Sequence, residues 1–201
     1  DAALLSSARK HFGPSQPLSI SIDRSTGEVH AYDGDEEVNP ETLGRIAAQT
    51  AKQVIMQRIR EAECDVIYDD YEQKVNTLVT GSVQRFEGSA IIVNLERTEG
   101  YLPRSEQIPG EHYQPGERIR ALIRDVRRAG QKVKIILSRT DKELIKRLFE
   151  LEVPEVADRI VQIHDLAREA GHRTKIAVSS TDARVDCIGA CVGVRGTRIK
   201  T

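Results

Sequence analysis

The sequence predicts an α+β multidomain chain, and three observations predict it. Its hydrophobic period changes from a three-to-four repeat to a repeat of two, and then to a mixture. Turn residues cluster where the period changes. Charge is segregated as well: residues 1–74 hold 8 Lys and Arg against 14 Asp and Glu, residues 75–140 hold 11 against 7, and residues 141–201 hold 11 against 10. Three domains follow from these breaks. Residues 1–74 read as an α/β N-terminal domain with a long helix, 75–140 as a five-stranded barrel, and 141–201 as an incomplete α+β unit.

The first segment opens with a short helical stretch, Ala2 to His11, broken by Gly13, Pro14 and Pro17. Leu18, Ile20 and Ile22 then alternate with serines, as in a strand with one buried face. After the turn cluster Asp23 to Gly27, a return strand begins at Val29, and an acidic loop runs from Asp33 to Glu37. Asn39 and Pro40 signal a helix start, a side-chain cap followed by a ring already fixed at helical φ. Leu43, Ile46, Ala47, Ala51, Val54, Ile55, Ile59 and Ala62 then recur at helical spacing, which predicts a helix to about Glu63 with these residues on its buried face.

The middle segment alternates with period two. Leu78 to Val83 leads into a turn at Phe86-Glu87-Gly88; Ile91, Val93 and Leu95 mark a second strand, and Gly100 to Pro103 ends a third. Ile119, Ala121 and Ile123 alternate with Arg118, Arg120 and Arg124, and after a loop at Arg127 to Gly130, Val133, Ile135 and Leu137 alternate with Lys132 and Lys134. Five short strands with glycine turns in this length predict a small closed barrel of the OB type. In the last segment Leu144, Ile145, Leu148 and Leu151 fit a helix that Pro154 stops. Two strands, Ile160 to Leu166 and Lys175 to Val178, are joined through Glu169-Ala170-Gly171, and a short helix near Ile188 to Val192 meets Gly193-Val194-Arg195-Gly196.

Composition excludes several classes. No apolar run approaches the ~18 residues of a membrane helix, so no membrane partner is expected. Three cysteines are too few and too odd in number for a disulfide framework, which points to a reducing cytoplasm. Cys187 and Cys191 stand one helical turn apart without a second ligand pair, the five histidines are scattered, and no nucleophile has a recognisable base. No metal, cofactor or catalytic site is expected.

What remains is binding. Residues 116–139 hold eight Lys and Arg and two acids, and alternation puts Arg118, Arg120 and Arg124 on one side, with Lys132 and Lys134 on the next strand. Such a stripe can track a phosphodiester backbone; the competing reading is a solvated outer face. Phe86 and Tyr101 are candidate base-stacking side chains, Tyr113 a weaker one. Gly193 to Gly196 is the sharpest local signal, because flanking glycines let amides approach phosphates, with Arg195 in the loop and Arg198 and Lys200 beyond. A G-x-x-G is commonly a plain turn, but here it follows two strands and a short helix, where a KH module clamps about four nucleotides.

Four stretches carry a family resemblance: Gly44 to Ile55 (GRIAAQTAKQVI), Gly100 to Glu111 (GYLPRSEQIPGE), Leu148 to Val156 (LFELEVPEV), and Val185-Asp186 with Gly189 to Gly196 (GACVGVRG). In this order they resemble the bacterial NusA family of transcription elongation, termination and antitermination factors. The resemblance implies an OB-type RNA-binding barrel and the start of a first, type II-like KH module. It also implies that the acidic first domain docks on RNA polymerase and the basic remainder receives nascent single-stranded RNA, modulating pausing, termination and antitermination, with other antitermination factors as further partners and the chain itself a monomer. Three departures stand out. The chain begins inside or after the family's first helix and ends within the first KH module, Cys187 replaces a proline common at its place, and Ile91-Ile92 occupies a position where related barrels often have an aromatic. These predict weak RNA binding dominated by backbone charge. An RNA-processing or RNA-degrading enzyme is the alternative; in the phosphorolytic exonucleases of similar make-up KH precedes the barrel, the reverse of the order here.

Overall fold

A computed structural model describes residues 18–22, 29–33, 36–38, 44–130 and 132–200. They divide into two compact units, Asp1–Asp65 and Val66–Thr201. The expected helix at Ala2 to His11, the turn at Asp23 to Gly27 and the cap at Asn39-Pro40 lie outside the described residues.

In the first unit, β1 (Leu18–Ile22), β2 (Val29–Asp33) and β3 (Glu36–Val38) form an antiparallel sheet in the order β1-β2-β3. The acidic run expected as a loop is partly strand, since Glu36 and Glu37 pair with Asp33 and Tyr32. Charged residues are well tolerated on an edge strand, where they discourage further pairing. The helix α1 covers Gly44–Glu72. Ile55 and Ile59, expected on its buried face, are 46 % and 47 % exposed. Val54, Ile55 and Met56 are consecutive and fan over about 200° of the helix surface, too wide an arc for one face to bury.

The helix does not end near Glu63. It continues because Ile67, Tyr68 and Tyr71 keep the helical spacing and have a partner: they pack on the core of the barrel that follows. Tyr71 is buried, and its hydroxyl donates to the Leu95 carbonyl at 3.1 Å.

The barrel comprises β4 (Leu78–Glu87), β5 (Ala90–Asn94), β6 (Glu99–Leu102), β7 (Arg118–Ala129) and β8 (Lys132–Ser138), closed in the order β4-β5-β6-β8-β7. Its β6–β8 seam is parallel, its other pairs antiparallel. The alternation read from the sequence fills the interior: Val83, Ile91, Val93, Leu102, Ile119, Ala121, Ile123, Ile135 and Leu137 are buried together. The loop expected at Arg127 to Gly130 is shorter than that, because Arg127, Arg128 and Ala129 pair with Lys134, Val133 and Lys132.

Next come α2 (Lys142–Glu152), α3 (Pro154–Ala157), β9 (Val161–Glu169), β10 (Arg173–Ser180) and α4 (Cys187–Val192). Asp141 caps α2 by accepting from the Glu143 amide at 2.9 Å. Pro154 ends the first helix as expected but also opens the second, standing at its first turn where no amide is needed. β9 and β10 pair antiparallel, and Val153, Val156, Val161 and Cys191 form the core that seats α3 and α4 on them.

Candidate nucleic-acid interface

Strand register decides which way each candidate on the barrel faces. Arg85 stands opposite Ile92, and Ile92 opposite Tyr101, so these three share the outer face. Lys134 sets its ammonium 3.7 Å from the centroid of the Tyr101 ring, a cation–π contact at close range. Phe86 is opposite Ile91, whose side chain lies in the core; it therefore stands on the inward side, near the end of β4, and stays half exposed. Arg85 grips Glu99 with two hydrogen bonds, at 2.7 and 2.9 Å. Those bonds hold the Glu99 carboxyl below the usual carboxylate range and push the Arg85 guanidinium up.

The basic stripe on β7 is not one free surface. Arg118 is exposed and, like Lys132 on β8, makes no ion pair or side-chain hydrogen bond among the described residues. Arg120 instead binds Glu152 of α2 at 3.2 Å. Arg124 is paired with the buried Glu106, whose second oxygen accepts from Thr140 at 3.0 Å. Two physical causes separate the three arginines. A register shift between Ile123 and Asp125 makes Arg124 the unpaired extra residue of a bulge, which re-aims its side chain. Leu122, between Arg120 and Arg124 in the alternation, is fully buried where α2 packs on β4 and β7. That part of the flank is an internal seam, while Arg118 remains in solvent.

The glycine loop is built by its own backbone. Asp186 caps α4 by accepting from the Ile188 amide at 3.1 Å, and the Gly193 amide closes the helix on the Gly189 carbonyl at 2.9 Å. Gly193 then takes φ 73° and ψ 169°, a conformation essentially reserved for glycine. A Cβ there would also stand 2.8 Å from Cγ of Arg198. Arg195 is left-handed at φ 57° and Gly196 at φ 74°. The result is an exposed tip: Val194 is 81 % exposed, Arg195 has no side-chain partner, and neither residue's amide donates to a protein acceptor among the described residues. Unclaimed donors beside a cation suit an anionic ligand. Arg198 behaves otherwise, since its guanidinium binds Glu155 at 2.9 Å and the Ala190 carbonyl at 2.6 Å. It braces the loop from beneath. Lys200 lies in the last turn, and its side chain is outside the described residues.

Arg120 of the barrel ends on Glu152 of α2, and Arg198 on Glu155 of α3. Glu152 and Arg198 also line one apolar cavity of about 390 Å³ with Leu148, Phe149 and Ile176. Tyr113 is partly buried and packs against the barrel core; burial and its bond to Glu111 push its hydroxyl up to about 12. Sequence reading missed Glu99, Glu106 and Glu111, the acids that take up Arg85, Arg124 and Arg139. It also missed Arg168. Charge alternation marks a strand's outer face but not which charges meet across strands. Among the described residues no three His, Cys, Asp or Glu side chains gather to hold a metal, and no helix is long and apolar enough to cross a membrane.

A closed five-stranded barrel followed by a helix, two strands and a glycine-flanked turn defines a multidomain protein of OB-type and KH modules. Comparison with known families agrees: an S1 RNA binding domain matches residues 72–139, a NusA-like first KH domain 139–201, and a NusA N-terminal domain 33–65. Proteins named transcription termination/antitermination protein NusA are similar over most of the chain. That of Halalkalibacterium halodurans is 47 % identical over 92 % of this chain and 49 % of its own length; that of Bacillus subtilis is 39 % identical over 100 % and 62 %. That of Mycobacterium tuberculosis is 41 % identical over 99 % and 62 %. The chain belongs to the NusA family, and it spans about half to three-fifths of the length of these relatives.

Proposed function

We propose that the chain is a non-catalytic transcription elongation factor that binds RNA polymerase and nascent single-stranded RNA in the cytoplasm, modulating pausing, termination and antitermination. In this reading residues 1–74 dock on the polymerase, 75–140 are the RNA-binding barrel and 141–201 the first KH module. The chain works as a monomer and can be joined by other antitermination factors. RNA meets Arg118, Lys132, Lys134, Tyr101 and Phe86 on the barrel, and Gly193, Val194, Arg195 and Gly196 at the loop, with Lys200 beyond. Arg120, Arg124 and Arg198 serve the same interface indirectly, by fixing the elements that carry it.

The observation that carries this reading is the loop tip. A left-handed arginine with no side-chain partner among the described residues, beside amides with no acceptor among them, sits in the segment that matches a NusA-like first KH domain. The test is a halted elongation complex of core polymerase with an emerging transcript. Added chain should bind it, crosslink to the transcript and alter the pause lifetime. Failure to bind either polymerase or RNA would overturn the proposal. So would steady shortening of labelled RNA in Mg²⁺ and phosphate, the behaviour of a degrading enzyme.

A further inference from the structure

Only three residues, Arg139 to Asp141, join β8 of the barrel to α2 of the next module. This short linker is gripped from both sides. From β9 the Arg168 guanidinium donates to the Arg139 carbonyl at 2.7 Å and to the Asp141 carbonyl at 2.6 Å. The Arg139 side chain reaches the opposite way, to Glu111 at 3.0 and 2.5 Å and to the Arg120 carbonyl at 2.5 Å. Tyr113 donates to the same Glu111 at 2.6 Å. The two guanidinia thus form a relay from the β9–β10 sheet through the linker into the barrel.

The neighbouring contacts have the same character. Arg147 of α2 donates to the Asn76 carbonyl at 2.9 Å, just ahead of the barrel's first strand. The turn at Gly171 lies against the long β6–β7 connection so closely that a Cβ would stand 2.9 Å from Cγ2 of Ile108. At φ 84° the position favours glycine in any case.

Electrostatically the relay is a costly way to fill a seam. Burial pushes the Arg168 guanidinium pKa down, and the like charge of Arg139 adds to that effect. The groups it meets directly are neutral carbonyls. An apolar side chain of similar volume fills such a place at no less stability in many proteins, whereas directional charged groups specify one geometry. Two forks of donors aimed at three carbonyls and one carboxylate leave the two modules a single mutual orientation.

We infer that Arg168 and Arg139 are positioning residues for RNA. They hold the Tyr101–Lys134 face and the Val194–Arg195 tip in one fixed arrangement, so that an RNA long enough to touch both binds as a chelate. The inference rests on the proposal that both surfaces take RNA. Linking two weak sites raises affinity about 10²- to 10⁴-fold when their geometry permits joint engagement, and the gain vanishes when it does not. Loss of the relay therefore affects long RNA and spares short RNA.

The experiment uses the full chain with Arg168→Met, which keeps bulk and removes the donors, and Arg168→Lys, which keeps the charge but not the fork. Affinities for a tetranucleotide and for a 16-nucleotide single strand are measured by fluorescence anisotropy. Residual dipolar couplings report the relative orientation of the barrel and the β9–β10 module. For R168M the tetranucleotide should bind within twofold of the parent, the long RNA at least tenfold more weakly, and the alignment tensors of the two modules should diverge. R168K should fall between, and it carries the same comparison if R168M does not fold. Equal tensors in a folded variant, or undiminished affinity for the long RNA, would overturn the inference. Should the unmodified chain bind the long strand no better than the tetranucleotide, the two-surface proposal fails instead, and the tensors still report on the relay.

Discussion

The double substitution Val194→Asp with Arg195→Asp separates a nucleic-acid clamp from an ordinary turn. Val194 is 81 % exposed and Arg195 has no side-chain partner among the described residues, so folding stability should change by no more than about 0.5 kcal/mol. Asp also tolerates the left-handed backbone at Arg195 better than most residues. The charge change is three units, two at Arg195 and one at Val194. A unit charge about 7 Å from a phosphate interacts by about 0.6 kcal/mol in water, and a Debye length of about 8 Å at physiological salt reduces that to about 0.25 kcal/mol. If two of the about four clamped nucleotides present a phosphate at that range, the loss is about 1.5 kcal/mol, or roughly tenfold in affinity. Anisotropy with single-stranded RNA at physiological salt measures the loss, and a thermal melt checks the fold. An affinity within twofold of the parent, with an unchanged melt, would refute the clamp.

Two further outcomes test the barrel. Glu99→Gln combined with Glu87→Gln releases Arg85 from both carboxylates, the bidentate Glu99 and Glu87 at 3.6 Å. RNA affinity should rise severalfold and the salt slope should steepen by about 0.7; no gain would mean that this face does not meet RNA. With Glu99 intact, its lowered carboxyl pKa means that the ion pair's contribution is full above the ordinary carboxylate value of about 4.3 and is lost only as pH falls through the lower folded value. Carboxyl chemical shifts followed between pH 6 and 2 would show it. Tyr113, pushed up to about 12, contributes stability below its unfolded pKa of about 10 that is lost as pH rises toward the folded value. Tyr113→Phe should therefore melt with less dependence on pH between 10 and 12, and an identical alkaline decline in both proteins would contradict the assignment.

Local pattern made much of this molecule readable. Alternation from Ile119 to Ile123 and from Val133 to Leu137 marked strands because one face of each is buried, and glycine spacing placed the loop after α4. Long-range pairing was not readable. Nothing near Arg120 or Arg124 announces that Glu152 and Glu106 will meet them, because those acids arrive from distant elements. The end of α1 is hidden in the sequence for a related reason: Asp69 and Asp70 interrupt the stripe of Ile67, Tyr68 and Tyr71, and only the barrel core explains why Tyr71 is buried and the other two pack beside it. The bulge that frees Arg124 from its strand register is likewise invisible in the alternation.

Formal charge thus overstates the charge available to a ligand, and the salt dependence of binding should show by how much. Eight cations were candidates from the sequence: Arg118, Arg120, Arg124, Lys132, Lys134, Arg195, Arg198 and Lys200. If each neutralised one phosphate, the slope of log affinity against log salt would be about −5.6, at about −0.7 per contact with a single strand. The structure spends Arg120, Arg124 and Arg198 on Glu152, Glu106 and Glu155. Arg118, Lys132, Lys134 and Arg195 are the described candidates without a carboxylate partner, which gives a slope of about −3. Charge reversal at Arg118 or Arg195 should flatten it by about one contact's worth, whereas Arg124→Gln should leave the slope alone and lower the melting temperature by stranding Glu106 in its buried place. A slope near −6 would mean that RNA breaks these internal pairs on binding, and the seam between barrel and α2 would then be part of the interface rather than its support.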